Sequence, residues 1–164
     1  MSESKQFCTF YVDGLFFGVD VLTVQEVLTE QDMTPVPLAS QEVCGLINLR
    51  GQIVTAIDLR RRLALGIRED EQTPMNIVVN TEDGIFSLLV DEIGDVIEPE
   101  EESYEKPPET LEGAAKELVT GVYKLEHQLL LVLDTKKAVV LDNSRRGITD
   151  TSAATQPQKK MVLS

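Results

Sequence analysis

The chain has little of what metal and disulfide chemistry requires. Its 164 residues include no tryptophan, one histidine (His127) and two cysteines, Cys8 and Cys44, which do not form a CxxC pair. One imidazole and two separated thiols cannot supply the ligands of a structural zinc site. We therefore expect two reduced thiols, no metal, and a core built from aliphatic side chains, since aromatic residues are only 5% of the chain.

Positive charge and long apolar runs are also scarce. Against 28 acidic residues there are 15 lysines and arginines, which gives a net charge of −13. Nucleic acids and anionic membranes bind through lysine and arginine, so neither is an expected partner. The chain contains no apolar run near the ~18 residues that a membrane span needs, and its first residues, MSESKQ, do not resemble a signal peptide. These features predict a cytoplasmic protein.

Catalytic patterns are missing as well. No phosphate-binding GxxxxGK[ST] or GxGxxG motif occurs, and the acidic run Glu100–Glu102 is consecutive, so its side chains cannot converge on calcium. His127 falls at a predicted hairpin tip, where an exposed turn residue is far commoner than a catalytic base. We predict no catalytic residue, no cofactor and no enzyme activity.

What the chain does contain is an internal repeat. Residues 45–63, GLINLRGQIVTAIDLRRRL, predict a β-hairpin followed by a short helix capped by Asp58. Residues 121–139 repeat this pattern 76 positions later without a gap. A second repeat, at an offset of 70, relates the turn Asp13-Gly14 to Asp83-Gly84. The chain therefore consists of two similar halves.

Short strands separated by turn residues predict an all-β fold with short helices. Each half supplies about five strands, so we expect two small β-barrels that form one unit with a binding groove between them. Asp134 is expected to cap a closing C-terminal helix that runs to about Asn143. The polar residues 144–164 are expected to be a disordered tail.

Arg50 stands out at the tip of the first predicted hairpin. The second half has Glu126 at the same place, so the fold does not require an arginine there. Arg50 is either a turn residue in solvent or a binding residue. In the second case a carboxylate, for which Glu26 is the candidate, would hold its guanidinium ready to pair with a partner. Val24 and Val96, which the repeat places at corresponding positions, are either core or edge valines or apolar contacts for a partner.

Several motifs resemble those of a known family. Residues 43–51 (VCGLINLRG), with Ile53-Val54 and residues 57–60 (IDLR), resemble the signature of CheW, the chemotaxis coupling protein family. Residues 17–20 (FGVD) and 24–27 (VQEV) are similar to its upstream motif, and Val90-Asp91 with Asp95-Val96 to its second-half motif. The resemblance covers residues 6–141.

The resemblance implies a scaffold without catalytic activity. It implies one domain, residues 6–143, made of two intertwined, SH3-like, five-stranded barrels. Such an adaptor binds the cytoplasmic tip of chemoreceptors and the regulatory domain of the histidine kinase CheA, which has the same fold. It would be cytoplasmic, without membrane insertion, and recruited to membrane-associated receptor arrays. The alternative is a stand-alone small-barrel module for a ligand or protein outside chemotaxis.

The resemblance also implies roles for particular residues. The receptor-binding set would be Val24, Glu26, Arg50, Ser87 and Val96. Gly45, Gly51 and Asp58 would be structural or near an interface.

Overall fold

A computed structural model describes residues 5–66 and 73–141. Within these ranges eleven strands and three short helices alternate with two 3₁₀ turns, at Val21–Thr23 and Glu101–Ser103. The strands are β1 (Phe7–Val12), β2 (Leu15–Asp20), β3 (Val24–Leu28), β4 (Val43–Leu49), β5 (Gln52–Asp58), β6 (Met75–Thr81), β7 (Gly84–Val90), β8 (Glu92–Ile97), β9 (Tyr104–Glu105), β10 (Val119–Lys124) and β11 (Leu129–Leu133). The helices are α1 (Leu59–Arg62), α2 (Gly113–Leu118) and α3 (Thr135–Ala138). The all-β prediction is confirmed, and the predicted tail, residues 144–164, lies outside the described ranges.

The strands form two sheets. One has six strands in the order β8-β1-β2-β11-β10-β9, and the other has five in the order β3-β6-β7-β5-β4. Neighbouring strands are antiparallel except for two parallel pairs, β2 with β11 and β5 with β7. The sixth strand of the larger sheet, β9, is only two residues long. Apart from this short addition, the sheets match the expected five strands each.

The two halves of the repeat exchange their first hairpins. β1 and β2 come from the first half, but they pair with β8 and β11 of the second. β6 and β7 come from the second half and pair with β3 and β5 of the first. Each sheet is therefore built from both halves, and the prediction of intertwined barrels is confirmed.

The hairpin turns follow the sequence closely. At Asp13-Gly14, between β1 and β2, φ is 52° and 80°, and at Arg50-Gly51, between β4 and β5, φ is 52° and 87°. Positive φ at both central residues defines the two-residue hairpin turn whose twist matches that of the paired strands. Glycine adopts positive φ at no steric cost. Gly51 therefore provides the second positive-φ residue of this turn.

One large core lies between the sheets. Its buried members come from both sheets and include Phe10 and Phe17, whose rings stack with centroids 5.7 Å apart. Each sheet also carries a smaller cluster on its opposite face, around Val54 and Val78 in the five-stranded sheet and around Phe7 and Leu130 in the six-stranded sheet. Adjacent residues of one strand thus enter different clusters, as the alternation of side chains along a strand requires.

Both helix caps are as predicted, but the closing helix is shorter. Asp58 accepts a hydrogen bond from the amide of Arg60 (3.0 Å), and Asp134 accepts one from that of Lys137 (3.1 Å). The helix expected to reach about Asn143 ends at Ala138. The guanidinium of Arg62 donates to the carbonyl oxygens of Lys137, Ala138 and Val140 at 2.9–3.0 Å. Arg62 thereby occupies the carbonyl oxygens of Lys137 and Ala138, which a further helical turn would use as acceptors.

No helix in residues 5–66 and 73–141 is long and apolar enough to cross a membrane.

Gly45, predicted to be structural, lies in buried backbone at a β-bulge in β4. A methyl group there would stand 2.7 Å from the carbonyl oxygen of Thr34, which is itself bonded to the amide of Leu46 (2.8 Å). No side-chain rotation can relieve a clash with a hydrogen-bonded backbone atom.

We therefore expect Gly45→Ala to lower the free energy of unfolding by about 1–3 kcal/mol, the range for overpacked positions. Urea denaturation measures it. The control is Gly66→Ala, because the nearest atom to a methyl group at Gly66 is 3.8 Å away. Equal stability losses in the two variants would contradict the assignment.

Candidate functional site

Arg50 is fixed at the tip of the β4–β5 hairpin. Its φ of 52° is uncommon for a residue with a side chain. The turn is held by the side-chain oxygen of Asn48, which accepts a hydrogen bond from the amide of Gly51 at 2.9 Å. The guanidinium donates two hydrogen bonds to Glu26, Nη1 to Oε2 at 2.5 Å and Nη2 to Oε1 at 2.9 Å. The predicted pair of Arg50 and Glu26 is confirmed.

This ion pair joins opposite edges of one sheet. Glu26 lies in β3 and Arg50 follows β4, and these are the first and last strands of the five-stranded sheet. A backbone bridge between Thr34, beyond β3, and Leu46 of β4 (amide to carbonyl distances 2.9 and 2.8 Å) adds a second link between these edges. A sheet whose two edges are in contact is curled on itself, so the pair closes a small barrel.

The pair also presents a cation to solvent. The Arg50 side chain is 75% exposed, whereas that of Glu26 is 19% exposed. Ile53, three residues after Arg50, is an exposed apolar residue on the same hairpin. The site is therefore an anchored guanidinium near an exposed aliphatic side chain.

Each partner shifts the titration of the other. Hydrogen bonds from Arg50 hold the pKa of the Glu26 carboxyl below its ordinary value, and the same contact raises the pKa of the Arg50 guanidinium. Because the pKa of Glu26 is lowered in the folded state, the pair is intact above the ordinary carboxyl pKa. It is lost as pH falls through the lowered pKa.

Ser87 lies in the same row of the sheet but inside the protein. Cross-strand pairing connects Glu26 to Val78, Val78 to Ser87 and Ser87 to Ala56. The Ser87 side chain is fully buried and donates a hydrogen bond to Asn76 Oδ1 (2.7 Å). It has no surface to offer a partner in this structure, so any effect of Ser87 on binding has to pass through its strand.

The two valines of the predicted set differ. Val24 is partly buried against the core between the sheets. Val96 is 54% exposed on β8, an edge strand of the six-stranded sheet. The register pairs Glu26 with Val78 and Val96 with Cys8, and 96 − 26 and 78 − 8 both equal 70. In the repeat, Val96 therefore corresponds to Glu26. The prediction that Val96 corresponds to Val24 was wrong, because the 70-residue offset of the first hairpin continues through β3.

Two clefts lie away from Arg50. A cleft of about 570 Å³ runs along the six-stranded sheet, with Tyr104 and Glu101 among its lining residues. A second, of about 420 Å³, lies beside Arg60 and Asp91. Neither is lined by Arg50 or Glu26, so the groove expected beside Arg50 corresponds to neither of these clefts.

Sequence reasoning missed the pair of Arg60 and Asp91. Both residues belong to charged stretches of the sequence, Arg60-Arg61-Arg62 and Asp91-Glu92, and such stretches are typical of solvated surface. Their side chains are only 8% and 11% exposed. Arg60 Nε lies 3.0 Å from Asp91 Oδ1, and Nη2 lies 2.6 Å from Oδ2. A signal was available, because Arg60 follows a capped and buried helix start and Asp91 directly follows the apolar end of β7.

The match to known proteins is extensive. The family model described as the CheW-like domain matches residues 6–142. The chain belongs to the CheW family. It is 33% identical to the chemotaxis protein CheW of Treponema pallidum over 141 residues, 82% of each chain. It is 30% identical to that of Bacillus subtilis over 150 residues, 92% of this chain and 96% of that protein.

A solved CheW structure has the same fold. The crystal structure of scaffolding protein TtCheW from Thermoanaerobacter tengcongensis matches with a TM-score of 0.73 and 28% identity, over 80% of this chain and 90% of that one. CheW proteins are scaffolds without catalytic activity that couple receptors to CheA in chemotaxis, and family membership confirms both the predicted function and the prediction that this chain is not an enzyme. In the described part of the chain, no group of three or more His, Cys, Asp or Glu residues is placed to hold a metal ion.

The electrostatic origin of the site can be tested by titration. We expect Arg50→Gln to raise the pKa of Glu26 toward its ordinary value, because the hydrogen bonds that stabilise the carboxylate are removed. Carbon-detected NMR of the side-chain carboxyl groups measures the pKa.

The control is Lys124→Gln, which removes a cation paired with Glu105 elsewhere on the surface (2.9 Å). It should leave the Glu26 titration unchanged. An identical Glu26 pKa in wild type and Arg50→Gln would show that the two side chains are not paired in solution.

Proposed function

We propose that Arg50, Glu26 and Val96 form the surface that binds the cytoplasmic tip of chemoreceptors, with Val24 and Ser87 supporting their strands from within. The regulatory domain of CheA binds elsewhere on the molecule, so that both partners are held at once. This assembly takes place in the cytoplasm, at membrane-associated receptor arrays. The observation that carries the proposal is the anchored, exposed guanidinium of Arg50.

The geometry suits docking of a charged helical partner. Arg50 uses two of its five N–H donors on Glu26 and keeps the others for a partner. Since Glu26 fixes the guanidinium before binding, little side-chain entropy remains to be lost on association. The exposed Ile53 and Val96 offer the aliphatic contacts that a helix lying on a surface requires.

Reversal of the charge at Arg50 tests the receptor surface. Wild type should capture both a receptor cytoplasmic fragment and CheA. We expect Arg50→Glu to weaken receptor capture by about tenfold or more, as loss of a central arginine contact does, and to leave CheA capture unchanged. The measurement is a titrated pull-down with both partners from the same genome.

Lys124→Glu is the matched control, because it makes the same change of net charge at another paired surface cation. An equal loss of receptor binding in the control would mean that bulk charge, not Arg50, is responsible. If folded wild type captured neither partner, the proposal would fail.

A swapped pair separates barrel closure from recognition. The double variant Glu26→Arg, Arg50→Glu restores an ion pair between the same two strands but moves the cation to β3. We expect its thermal stability to recover toward wild type while receptor binding stays weak. Recovery of binding together with stability would show that Arg50 acts only by closing the barrel.

A further inference from the structure

Between β7 and β8 the chain passes from the five-stranded to the six-stranded sheet, and a single residue separates the two strands. β7 ends at Val90 in the five-stranded sheet and β8 begins at Glu92 in the six-stranded sheet. Asp91 stands between them, and its amide donates to the carbonyl of Tyr11 in β1 (2.9 Å). The start of β8 is therefore determined by how Asp91 is held.

Arg60 holds Asp91 from the five-stranded side. Its helix, α1, directly follows β5. Besides its two-nitrogen contact with Asp91, the guanidinium donates to the carbonyl of Gly66 (3.1 Å) and lies 3.4 Å from Asp13 Oδ1. Asp91 Oδ2 also accepts a hydrogen bond from the amide of Asp13 (2.7 Å), at the tip of the β1–β2 hairpin. One buried ion pair thus joins segments of both sheets.

The other crossing lacks such a pair. Between β2 and β3, Asp20 caps the local 3₁₀ turn by accepting from the amide of Leu22 (2.9 Å). The residue that corresponds to Arg60 in the second half is Lys136, whose contact with Glu82 (3.3 Å) is exposed, at 64% and 80%. Among residues 5–66 and 73–141, the crossing into β8 is the one held by a buried charge pair.

β8 needs this support because it has one neighbour. It is an edge strand that pairs with β1 alone, and its register shifts by one residue between Ile93 and Val96. Val96 lies five residues after Asp91. Its position relative to Glu26 and Arg50, which belong to the other sheet, depends on where β8 starts.

We propose that Arg60 and Asp91 are positioning residues for partner binding. The pair sets edge strand β8, and with it Val96, at the correct place relative to Glu26 and Arg50. This inference rests on the proposed receptor surface, which spans the two sheets. Arg60 and Asp91 act through β8 and do not themselves contact the partner.

The test uses Arg60→Lys, which keeps the charge but loses the two-pronged contact. We expect amide hydrogen exchange in β8 to become about tenfold faster while β3 is unchanged, because loss of a local support raises local opening. The control is Lys136→Arg, made at the corresponding exposed position. Asp91→Asn, which keeps the side-chain shape, should reproduce the effect of Arg60→Lys.

The second readout is a double-mutant cycle on binding of the receptor cytoplasmic fragment. Val96→Ala should weaken binding in wild type but have little further effect in the Arg60→Lys background, whereas the loss caused by Arg50→Ala should be the same in both. A role in overall stability alone would leave the Val96 effect unchanged.

Unchanged β8 exchange in Arg60→Lys, or exchange that rises equally in β3 and β8, would overturn the inference. So would full additivity of Arg60→Lys and Val96→Ala. Failure of wild type to bind the receptor fragment would instead refute the receptor surface, and with it the binding role of the pair, while the exchange measurement would still report whether Arg60 holds β8.

Discussion

The fold depends on the exchange of hairpins between its two halves. Because β1 and β2 pair with strands of the second half, and β6 and β7 with strands of the first, the inner faces of both sheets meet over one core. That core contains most of the largest buried side chains, whereas the clusters on the opposite faces are small. Neither sheet could bury its inner face without the other, so the two barrels form one cooperative unit.

The proposed receptor surface and the barrel share their interactions. The contact of Arg50 with Glu26 closes the five-stranded sheet and also presents the guanidinium outward. The turn that carries Arg50 has the positive φ that a two-residue hairpin turn requires, as does the turn at Asp13. A surface arginine held in this way is a part of the scaffold and not an independent side chain.

Local rules predicted most of the local structure. The turns at Asp13-Gly14 and Arg50-Gly51 and the caps at Asp58 and Asp134 follow from residue type and spacing. The intertwining of the barrels was implied by family resemblance, since strand exchange leaves no local trace. Three other features depend on residues distant in sequence. They are the burial of Ser87, the buried ion pair of Arg60 with Asp91, and the early end of α3. Spacing along the chain cannot report contacts of that kind.

The hairpin exchange also determines the order in which the protein can be completed during synthesis. β1 and β2 leave the ribosome first, yet β2 finds its parallel partner only at Leu131, 114 residues after Phe17 (131 − 17). The five-stranded sheet has all its strands once Val90 has emerged. Until the later strands emerge, Phe10 and Phe17 of the first hairpin lack the core residues that those strands supply, such as Val122 and Leu131. Long-range pairing of this kind folds slowly and is exposed to aggregation.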